Sequence, residues 1–473
     1  MKTTARLPFS KVRFDLPFRT HLAVTLEAPH VEWETARPPV CVVPVIDVSG
    51  SMDGEKLEKA RRSVQKLIDQ LAPGDQCGIV TFSSQVSVVA PPQPMTAARK
   101  AALRSAVEQL RALDQTNLAG GMLAGLRLAS EARLPEGMLV RVILFTDGQA
   151  NAGIATRSEA LLPLVEQHLG RATLSAFGYG RDADQELLGD LATHGKGNYA
   201  FVAGPDDAMT AFARELGGLL STYATDIVLH VRPLSGSRLT AVLSDVDADP
   251  RGTGVEVRIP DILADETRSV VLSVELPATD APAAAPGDAF EVEATWNELA
   301  GGAQGVARRE VLRAAVHRVL PGSEQVHPDR DVDVIVAQAE LVRVQIEAED
   351  LARRGEHERA RERVLALGQS ALDRGLPAEA RAARELAETM TDRASFAASA
   401  PFRSSLRKGV GRSSSVMMDA DAERTLQSMG LSRKTRAQDA MDDLFRQGEK
   451  PARREPGKPA RPGGPKGTRA RRW

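Results

Sequence analysis

A repeated alternation of short apolar runs and amphipathic stretches constrains the fold of this 473-residue chain more than any other feature. The first run, VCVVPVI at 40–46, is apolar on both faces and stops at Asp47, which is typical of a strand buried in a parallel sheet. From Gly54 to Leu71, apolar residues recur at steps of three and four and predict a helix with one buried face. Pro44 is awkward within the strand because it has no N–H to donate.

The same alternation predicts the remaining elements of one domain. Further strands are expected at 77–82, 85–90, 139–145, 172–180 and 199–202, and further helices at 97–112, 118–132, 156–169, 184–194 and 206–221. Strands that alternate with helices of this length form a mostly parallel sheet covered by helices on both faces. The prediction is therefore a doubly wound α/β domain over residues 38–222.

A second domain is predicted from a change of pattern after the α/β domain. Residues 226–318 alternate apolar and polar side chains without helical spacing, and the loop at 277–287 is rich in Pro and Ala. This pattern predicts an antiparallel β-sandwich with half-buried strands. A similar strand at 21–28 precedes the α/β domain, and we expect residues 1–37 to pair with the sandwich. The α/β domain would then be an insertion in it.

The last third of the chain divides into a helical region and a tail. Residues 329–398 keep helical periodicity and predict two or three antiparallel helices. Residues 399–473 are rich in Ser, Arg, Gly and Pro, and the segment 450–473 carries nine Lys and Arg against one Glu. Such a composition cannot bury a core, so a disordered basic tail is expected, which either solubilises the protein or contacts an anionic surface.

Charge and cysteine content narrow the classes of function. The chain has 61 basic and 63 acidic residues and a formal net charge of -2, which argues against a body dedicated to nucleic acid. Cys41 and Cys77 are its two cysteines, and we expect both to be buried thiols in a reducing compartment. The sequence shows neither a secretory signal nor about 18 consecutive apolar residues, so a cytoplasmic location without a transmembrane segment is expected.

Three polar segments lie where predicted strands end or a helix begins. Asp47-Val48-Ser49-Gly50-Ser51 follows the first strand, Thr116 precedes the helix at 118–132, and Thr146-Asp147-Gly148 follows the strand at 139–145. Loops at the carboxyl ends of parallel strands converge, so these segments can meet over one crevice. Each segment alone is an ordinary turn sequence, and it is their joint occurrence that predicts a site. The predicted metal ligands are Asp47, Ser49, Ser51, Thr116 and Asp147.

The donor set indicates which ion and which partner group would bind. All five donors are hard oxygens, for which Mg²⁺ is the expected ion, with Mn²⁺ and Ca²⁺ as alternatives to it and zinc disfavoured. Because only two donors carry charge, the cation would remain undersatisfied and would accept a further anionic ligand. A carboxylate from Asp or Glu of a partner protein is the predicted group.

These segments carry a resemblance to a known family. Residues from about 40 to 222 resemble a von Willebrand factor A-type (VWA) domain of the bacterial cytoplasmic and surface type, with similarity in DVSGSM (47–52), GIVTFSS (78–84), TNLAGGM (116–122), ILFTDGQANAG (143–153) and FGYGRDADQELL (177–188). The first of these is similar to the family's metal-ion-dependent adhesion motif. The resemblance implies that Ser49, Ser51 and Thr116 bind metal directly and that Asp47 and Asp147 act largely through water or switch with conformation.

The family resemblance also suggests a partner, and the sequence departs from the family pattern at two positions. Asp114 and Gln115 stand where such members often have glycines. The predicted arrangement, in which a sandwich surrounds the α/β domain and helices follow it, also resembles that of bacterial relatives of inter-alpha-trypsin inhibitor heavy chains. Many cytoplasmic relatives act beside AAA+ ATPases, which makes such a system a candidate partner and an adaptor or assembly factor the expected role.

Two classes of function follow, a binding module and a metal-dependent hydrolase that activates water at the same cation. A hydrolase needs a general base near the metal, and Asp114 is the one unassigned candidate. His168 and His194 lie near predicted helix ends, where a capping or surface role is expected. No P-loop and no His-Glu-x-x-His segment occurs in the sequence. The prediction is a non-enzymatic protein with no catalytic residues.

Overall fold

The computed structural model describes most of the chain, namely residues 1–31, 39–113, 115–135, 138–180, 183–202, 217–218, 221–259, 261–299, 305–399, 402–403, 406–407, 435–436 and 438–439. Three predictions concern residues outside these ranges. They are most of the helix at 206–221, the role considered for Asp114 and most of the tail at 399–473.

The described elements are strands in two regions and helices in two regions. The strands are β1 Lys2–Arg6, β2 Lys11–Arg13, β3 Phe18–Glu27, β4 Val40–Asp47, β5 Gln76–Phe82, β6 Val86–Pro94, β7 Leu139–Thr146, β8 Thr173–Tyr179, β9 Lys196–Val202, β10 Thr222–Pro233, β11 Arg238–Val242, β12 Asp247–Arg251, β13 Gly254–Ile259, β14 Ile262–Leu263, β15 Thr267–Leu276, β16 Gly287–Glu298 and β17 Val306–Val319. The helices are α1 Glu55–Gln70, α2 Ala97–Glu108, α3 Leu118–Glu131, α4 Ser158–His168, α5 Gln185–His194, α6 Arg330–Arg353, α7 His357–Asp373, α8 Pro377–Glu388 and α9 Arg393–Ala398.

The predicted α/β domain contains a six-stranded sheet in the order β6-β5-β4-β7-β8-β9. All its pairs are parallel except β5–β6, which is antiparallel. Separate apolar cores cover its two faces, one built on Leu57 and Val64 of α1, the other on Met122 and Leu126 of α3. The predicted doubly wound fold is confirmed.

The winding of this sheet reverses at its central strand. From β4 the chain first moves to β5 and β6 on one side, and it then crosses to β7, β8 and β9 on the other. Between β4 and β7 lies the switch point, where loops diverge and leave a crevice at the carboxyl ends of the strands. Asp47 ends β4 and Asp147 directly follows β7.

Two local predictions in this domain need comment. Pro44 does not break β4, which stays fully buried while its pairing with β5 skips from Val42 to Val45. The helix predicted at 97–112 was too long, since α2 ends at Glu108. By Leu113 the chain has left the helix, since its N–H donates to the Val48 carbonyl at 2.6 Å and not to a carbonyl of α2.

The chain on either side of the α/β domain forms two further sheets. One has the order β1-β3-β15-β11, and the other has the order β12-β13-β10-β16-β17-β2 with β14 paired to β10. Strand β3 pairs antiparallel with β15 from Phe18 to Glu27, and their inner side chains share one core with β10 and β16. The short β2 pairs parallel with β17, an exception to the antiparallel pattern expected from the sequence.

This pairing places the α/β domain between β3 and β10 of the sandwich. Contact between the two regions includes Arg141 near the amino end of β7, whose guanidinium lies 4.0 Å from the Asp261 carboxylate. Because parallel strands share one direction, this contact is at the edge of the sheet opposite to Asp47 and Asp147.

Helices α6, α7 and α8 follow the sandwich as predicted for the C-terminal region. Helix α6 packs on the four-stranded sheet, where Val332 and Val336 contact Ala23 and Val271. No helix within the described part of the chain is both long enough and apolar enough to span a membrane.

Candidate metal site

The predicted ligands lie on three loops at the carboxyl edge of the parallel sheet. Ser49 and Ser51 belong to the loop and the single 3₁₀ turn, Gly50–Met52, that follow β4. Their hydroxyl oxygens are 3.1 Å apart. Asp47, Ser49, Thr116 and Asp147 are all at most 1% exposed, whereas Ser51 is half-buried. Burial of so many polar groups in one place requires that each is satisfied locally or by a ligand.

Asp47 connects the first loop to the end of β7. Its Oδ1 accepts a hydrogen bond from the Ser49 N–H at 2.9 Å, and its Oδ2 accepts one from the Thr146 hydroxyl at 2.5 Å. Burial raises the pKa of Asp47 to about 6, and the neighbouring charge of Asp147 adds to that rise, while the hydrogen bonds from Ser49 and Thr146 oppose it. The ionised carboxylate thus lacks a full counter-charge in this environment.

Asp147 has a partner that the sequence did not indicate. The Lys56 ammonium, in the first turn of α1, lies 3.1 Å from Asp147 Oδ2. Its side chain is 19% exposed and the carboxylate is fully buried. The Gln149 N–H donates to Asp147 Oδ1 at 3.3 Å. The sequence places Lys56 one position before the apolar stripe of α1, but the rotation of that helix about its axis decides whether it reaches Asp147.

Thr116 is held by the loop that carries Asp147. The Asn151 side-chain oxygen accepts from the Thr116 N–H at 2.8 Å, and the N–H groups of Asn151 and Ala152 donate to the Thr116 carbonyl at 3.2 Å. Asn117 caps α3 by accepting from the Gly120 N–H, and its own N–H donates to the Ser83 carbonyl. Asn151 is therefore a positioning residue for Thr116, within a segment that the sequence had singled out only for its resemblance.

Carboxylate and hydroxyl oxygens on these connected loops fit a hard divalent cation. The described residues contain no cluster of three or more His, Cys, Asp or Glu side chains suited to a metal, so two carboxylates are the charged donors here. A cation with charge +2 would be neutralised by them and would bind with open positions for neutral or external ligands. Softer metals, which favour thiolate and imidazole, do not fit this set.

The two histidines noted in the sequence bond to the backbone of their own helices, and the two cysteines are buried in the parallel sheet. The His168 and His194 imidazoles hydrogen-bond the carbonyls of Leu164 and Asp190 in the last turns of their own helices. Cys41 and Cys77 are free, fully buried thiols on neighbouring strands, and burial raises the pKa of both.

Comparison with known proteins agrees with the topology of the parallel sheet. Residues 42–214 match the family model described as von Willebrand factor type A domain. An uncharacterized protein from Synechocystis sp. is 24% identical over 51% of this chain and 58% of its own length. Inter-alpha-trypsin inhibitor heavy chain H4 from Homo sapiens is 35% identical over 33% of this chain and 17% of its own length. The matched region is thus less than two thirds of either relative.

Two solved structures share the fold over most of the chain. A von Willebrand factor type A protein from Catenulispora acidiphila has a TM-score of 0.63 at 19% identity and covers 82% of this chain and 89% of its own. The ArnB paralog VWA2 from Sulfolobus acidocaldarius has a TM-score of 0.53 at 17% identity, with 82% and 97% covered. At these identities the likeness concerns the fold alone.

Proposed function

We propose that this chain, which contains a von Willebrand factor type A domain, binds a divalent cation through Asp47, Ser49, Ser51, Thr116 and Asp147 and uses it to hold an acidic residue of a protein partner. The observation that carries the proposal is the hydrogen bond from Thr146 to Asp47, which joins the ends of β4 and β7 and brings both buried carboxylates to one edge. Mg²⁺ is the proposed ion, with Mn²⁺ and Ca²⁺ as alternatives.

Charge favours an anionic partner group at this site. Two carboxylates balance the cation, and Lys56 adds one positive charge beside Asp147. A carboxylate from outside would fill an open coordination position and would be attracted by the cation and by Lys56. In a buried setting such a charge-assisted contact is stronger than its counterpart in water.

A hydrolytic use of the same cation has less support from the geometry. A general base needs a carboxylate that is not already committed to the cation and that reaches the attacking water. Asp47 and Asp147 are both proposed metal ligands, and hydrogen bonds from Ser49, Thr146, Lys56 and Gln149 fix their orientation. Asp114, the base considered from the sequence, lies outside the described residues. VWA domains are typically interaction modules, and we propose a binding module here.

The position of the site suits an adaptor or assembly factor. The sandwich contacts the amino edge of the parallel sheet through Arg141 and Asp261, and the site lies at the opposite edge. A partner held at the metal would therefore leave the sandwich and helices available for a second contact. An AAA+ ATPase system is the candidate that the family resemblance suggests.

Calorimetric titration of Mg²⁺, Mn²⁺ and Ca²⁺ into the full chain tests the metal site. The wild type is expected to bind and Asp47→Ala to fail, while Asp69→Ala, a change to an exposed α1 carboxylate paired with Arg104, binds as the wild type does. Pull-downs with and without chelator then test the partner. Metal binding by Asp47→Ala, or partners retained in chelator, would contradict the proposal.

A further inference from the structure

Two buried polar side chains lie at one end of the β-sandwich, far along the chain from the candidate metal site. The loop at 277–287 joins the end of β15, which pairs with the start of β3, to the start of β16, which pairs with the last residues of β17. Thr20 near the start of β3 and Arg318 near the end of β17 are therefore at the same end of the two sheets. Thr20 is 6% exposed and Arg318 is 8% exposed.

Both residues lie on the inner faces of the sheets. On β17, Val316 belongs to the apolar core of the sandwich, and Arg318, two residues further on, continues the same face. Val12, which pairs with Arg318 from the parallel strand β2, is also part of that core. On the other sheet, Thr20 shares the inner face of β3 with Leu22. An arginine and a threonine thus stand at the margin of an apolar core.

The guanidinium of Arg318 has no counter-charge among the described residues. Its Nη1 and the Oγ1 of Thr20 are both buried and form no hydrogen bond within the described ranges. Burial lowers the pKa of Arg318, and no described carboxylate opposes that change. Arginine nevertheless stays protonated in proteins, so the positive charge remains in place. A buried charge without a partner is costly, and a bound anion would remove that cost.

Carboxylates at this end of the sandwich are engaged elsewhere. Three of them pair with other arginines at 2.8 to 3.0 Å, namely Asp15 with Arg13, Asp288 with Arg313 and Glu275 with Arg19. Asp280 lies in the exposed loop at 277–287, where water solvates its charge. The chain therefore supplies arginine partners for these carboxylates and leaves the buried arginine for a ligand.

We propose that Arg318 and Thr20 bind a small oxyanion at this end of the sandwich. A guanidinium presents its N–H donors as a planar fork that matches two oxygens of a carboxylate or a phosphate. The Thr20 hydroxyl supplies a further donor from the opposite sheet. The low exposure of Arg318 favours a small free ion over a group carried by a large partner. The site does not depend on the metal proposed for the parallel sheet.

Calorimetric titration of inorganic phosphate and, separately, of formate into the full chain tests this site in metal-free buffer at constant ionic strength. The wild type should bind at least one of the two ions, and Arg318→Met should bind that ion about tenfold more weakly. Thr20→Val keeps the side-chain volume and should weaken binding about threefold. Tighter binding of formate would identify a carboxylate as the natural ligand, and tighter binding of phosphate would identify a phosphate.

Arg19→Met is the matched control. Arg19 is adjacent to Thr20 in β3, but its side chain is 86% exposed and pairs with Glu275, so this variant should bind the ion as the wild type does. A wild type that binds neither ion would overturn the proposal. Equal loss of binding in Arg19→Met and Arg318→Met would also overturn it, because the ion would then respond to surface charge alone.

Thermal unfolding gives a second, independent measurement. In a buffer whose anions are large organic sulfonates, Arg318→Met should unfold at a temperature no lower than that of the wild type, since it removes a buried charge without a counter-charge. Adding the bound ion should raise the unfolding temperature of the wild type and of Arg19→Met more than that of Arg318→Met. A lower unfolding temperature of Arg318→Met in the sulfonate buffer would show that the protein itself satisfies Arg318, and would overturn the proposal.

Discussion

The candidate metal site and the outer face of the seven-stranded sheet both hold many charged residues, arranged in opposite ways. On the sheet, arginines and carboxylates alternate across neighbouring strands, as in Arg309 with Glu293 and Arg313 with Asp288. These pairs are largely exposed, with the two arginines 67% and 58% accessible. At the site, Asp47 and Asp147 are fully buried, and the Lys56 ammonium lies beside Asp147.

The difference separates solvated charge from the buried charge that we propose to hold a cation. An exposed pair costs little to form and contributes little, because water and salt screen it. A buried carboxylate that lacks a full counter-charge is expensive, and the raised pKa of Asp47 expresses that cost. A folded protein tolerates such a carboxylate where a bound cation compensates its charge. A high density of charged residues therefore does not by itself locate a functional site.

The largest expected effect is on stability when metal binds. At a Mg²⁺ concentration 100 times the dissociation constant, binding to the folded state alone adds about 2.7 kcal/mol to the free energy of unfolding. Calorimetric scans of the wild type should show a higher unfolding temperature in Mg²⁺, and scans of Asp47→Ala should show none of this increase. An equal shift in both proteins would mean that Mg²⁺ acts elsewhere.

The pKa of Asp47 predicts a pH dependence of metal affinity. Metal binds the ionised carboxylate, and a pKa of about 6 means that protons compete with the metal below that value. Affinity should be nearly constant above pH 7 and about tenfold weaker at pH 5 than at pH 7, with proton release near pH 6. Titrations in buffers of different ionisation enthalpy measure that release, and its absence would exclude Asp47 as the competing group.

Replacing Lys56 is expected to have a smaller effect on metal affinity, and it tests the contrast between buried and exposed charges. Its ammonium neutralises Asp147 without metal and repels a cation bound there. Lys56→Met should therefore bind Mg²⁺ about fivefold more tightly and unfold at a lower temperature in chelator. Lys59→Met, in the same helix and paired with Glu55, is the control expected to change neither quantity. Weaker metal binding by Lys56→Met would show that the lysine supports the site rather than competing for it.

The smallest effect is expected on the outer sheet. Arg309→Ala removes two hydrogen bonds to Glu293, at 2.8 Å and 2.9 Å, yet should leave the unfolding temperature unchanged within error, since the pair is exposed. Metal affinity should not change either. A clear loss of stability would mean that the cross-strand charges act as one network, and the contrast with the buried site would weaken.

Local pattern was enough to predict the parts of the site that continue regular elements. Asp47 and Asp147 follow apolar runs that are typical of buried parallel strands, and the shared direction of such strands places both residues at one edge of the sheet. The strand expected at 21–28 overlaps Phe18–Glu27, whose partner, Thr267–Leu276, had not been singled out in the sequence. The predicted features follow from the spacing of apolar residues and from the shared direction of parallel strands, both of which can be read from a sequence.

Other features depend on contacts between distant segments, which periodicity does not record. Whether Lys56 reaches Asp147 is set by how α1 packs, and the link from Asn151 to Thr116 is set by the path of an irregular loop. After α2 ends at Glu108, the Leu113 N–H bonds to the Val48 carbonyl on a distant segment. Each of these features is set by tertiary packing, and the local sequence pattern is compatible with more than one outcome.

The insertion of the α/β domain between β3 and β10 has a consequence for how the protein is made. Strand β3 finds its partner β15 only after the whole inserted domain has been synthesised, since the pairing joins Phe18 to Leu276. During translation we therefore expect the edge of β3 that pairs with β15 to stay unpaired while the parallel sheet, whose strands in the described part of the chain pair with one another, folds first. Ribosome-bound chains stalled shortly after residue 222 should expose β3 to proteases and to aggregation, and longer chains that include Leu276 should protect it.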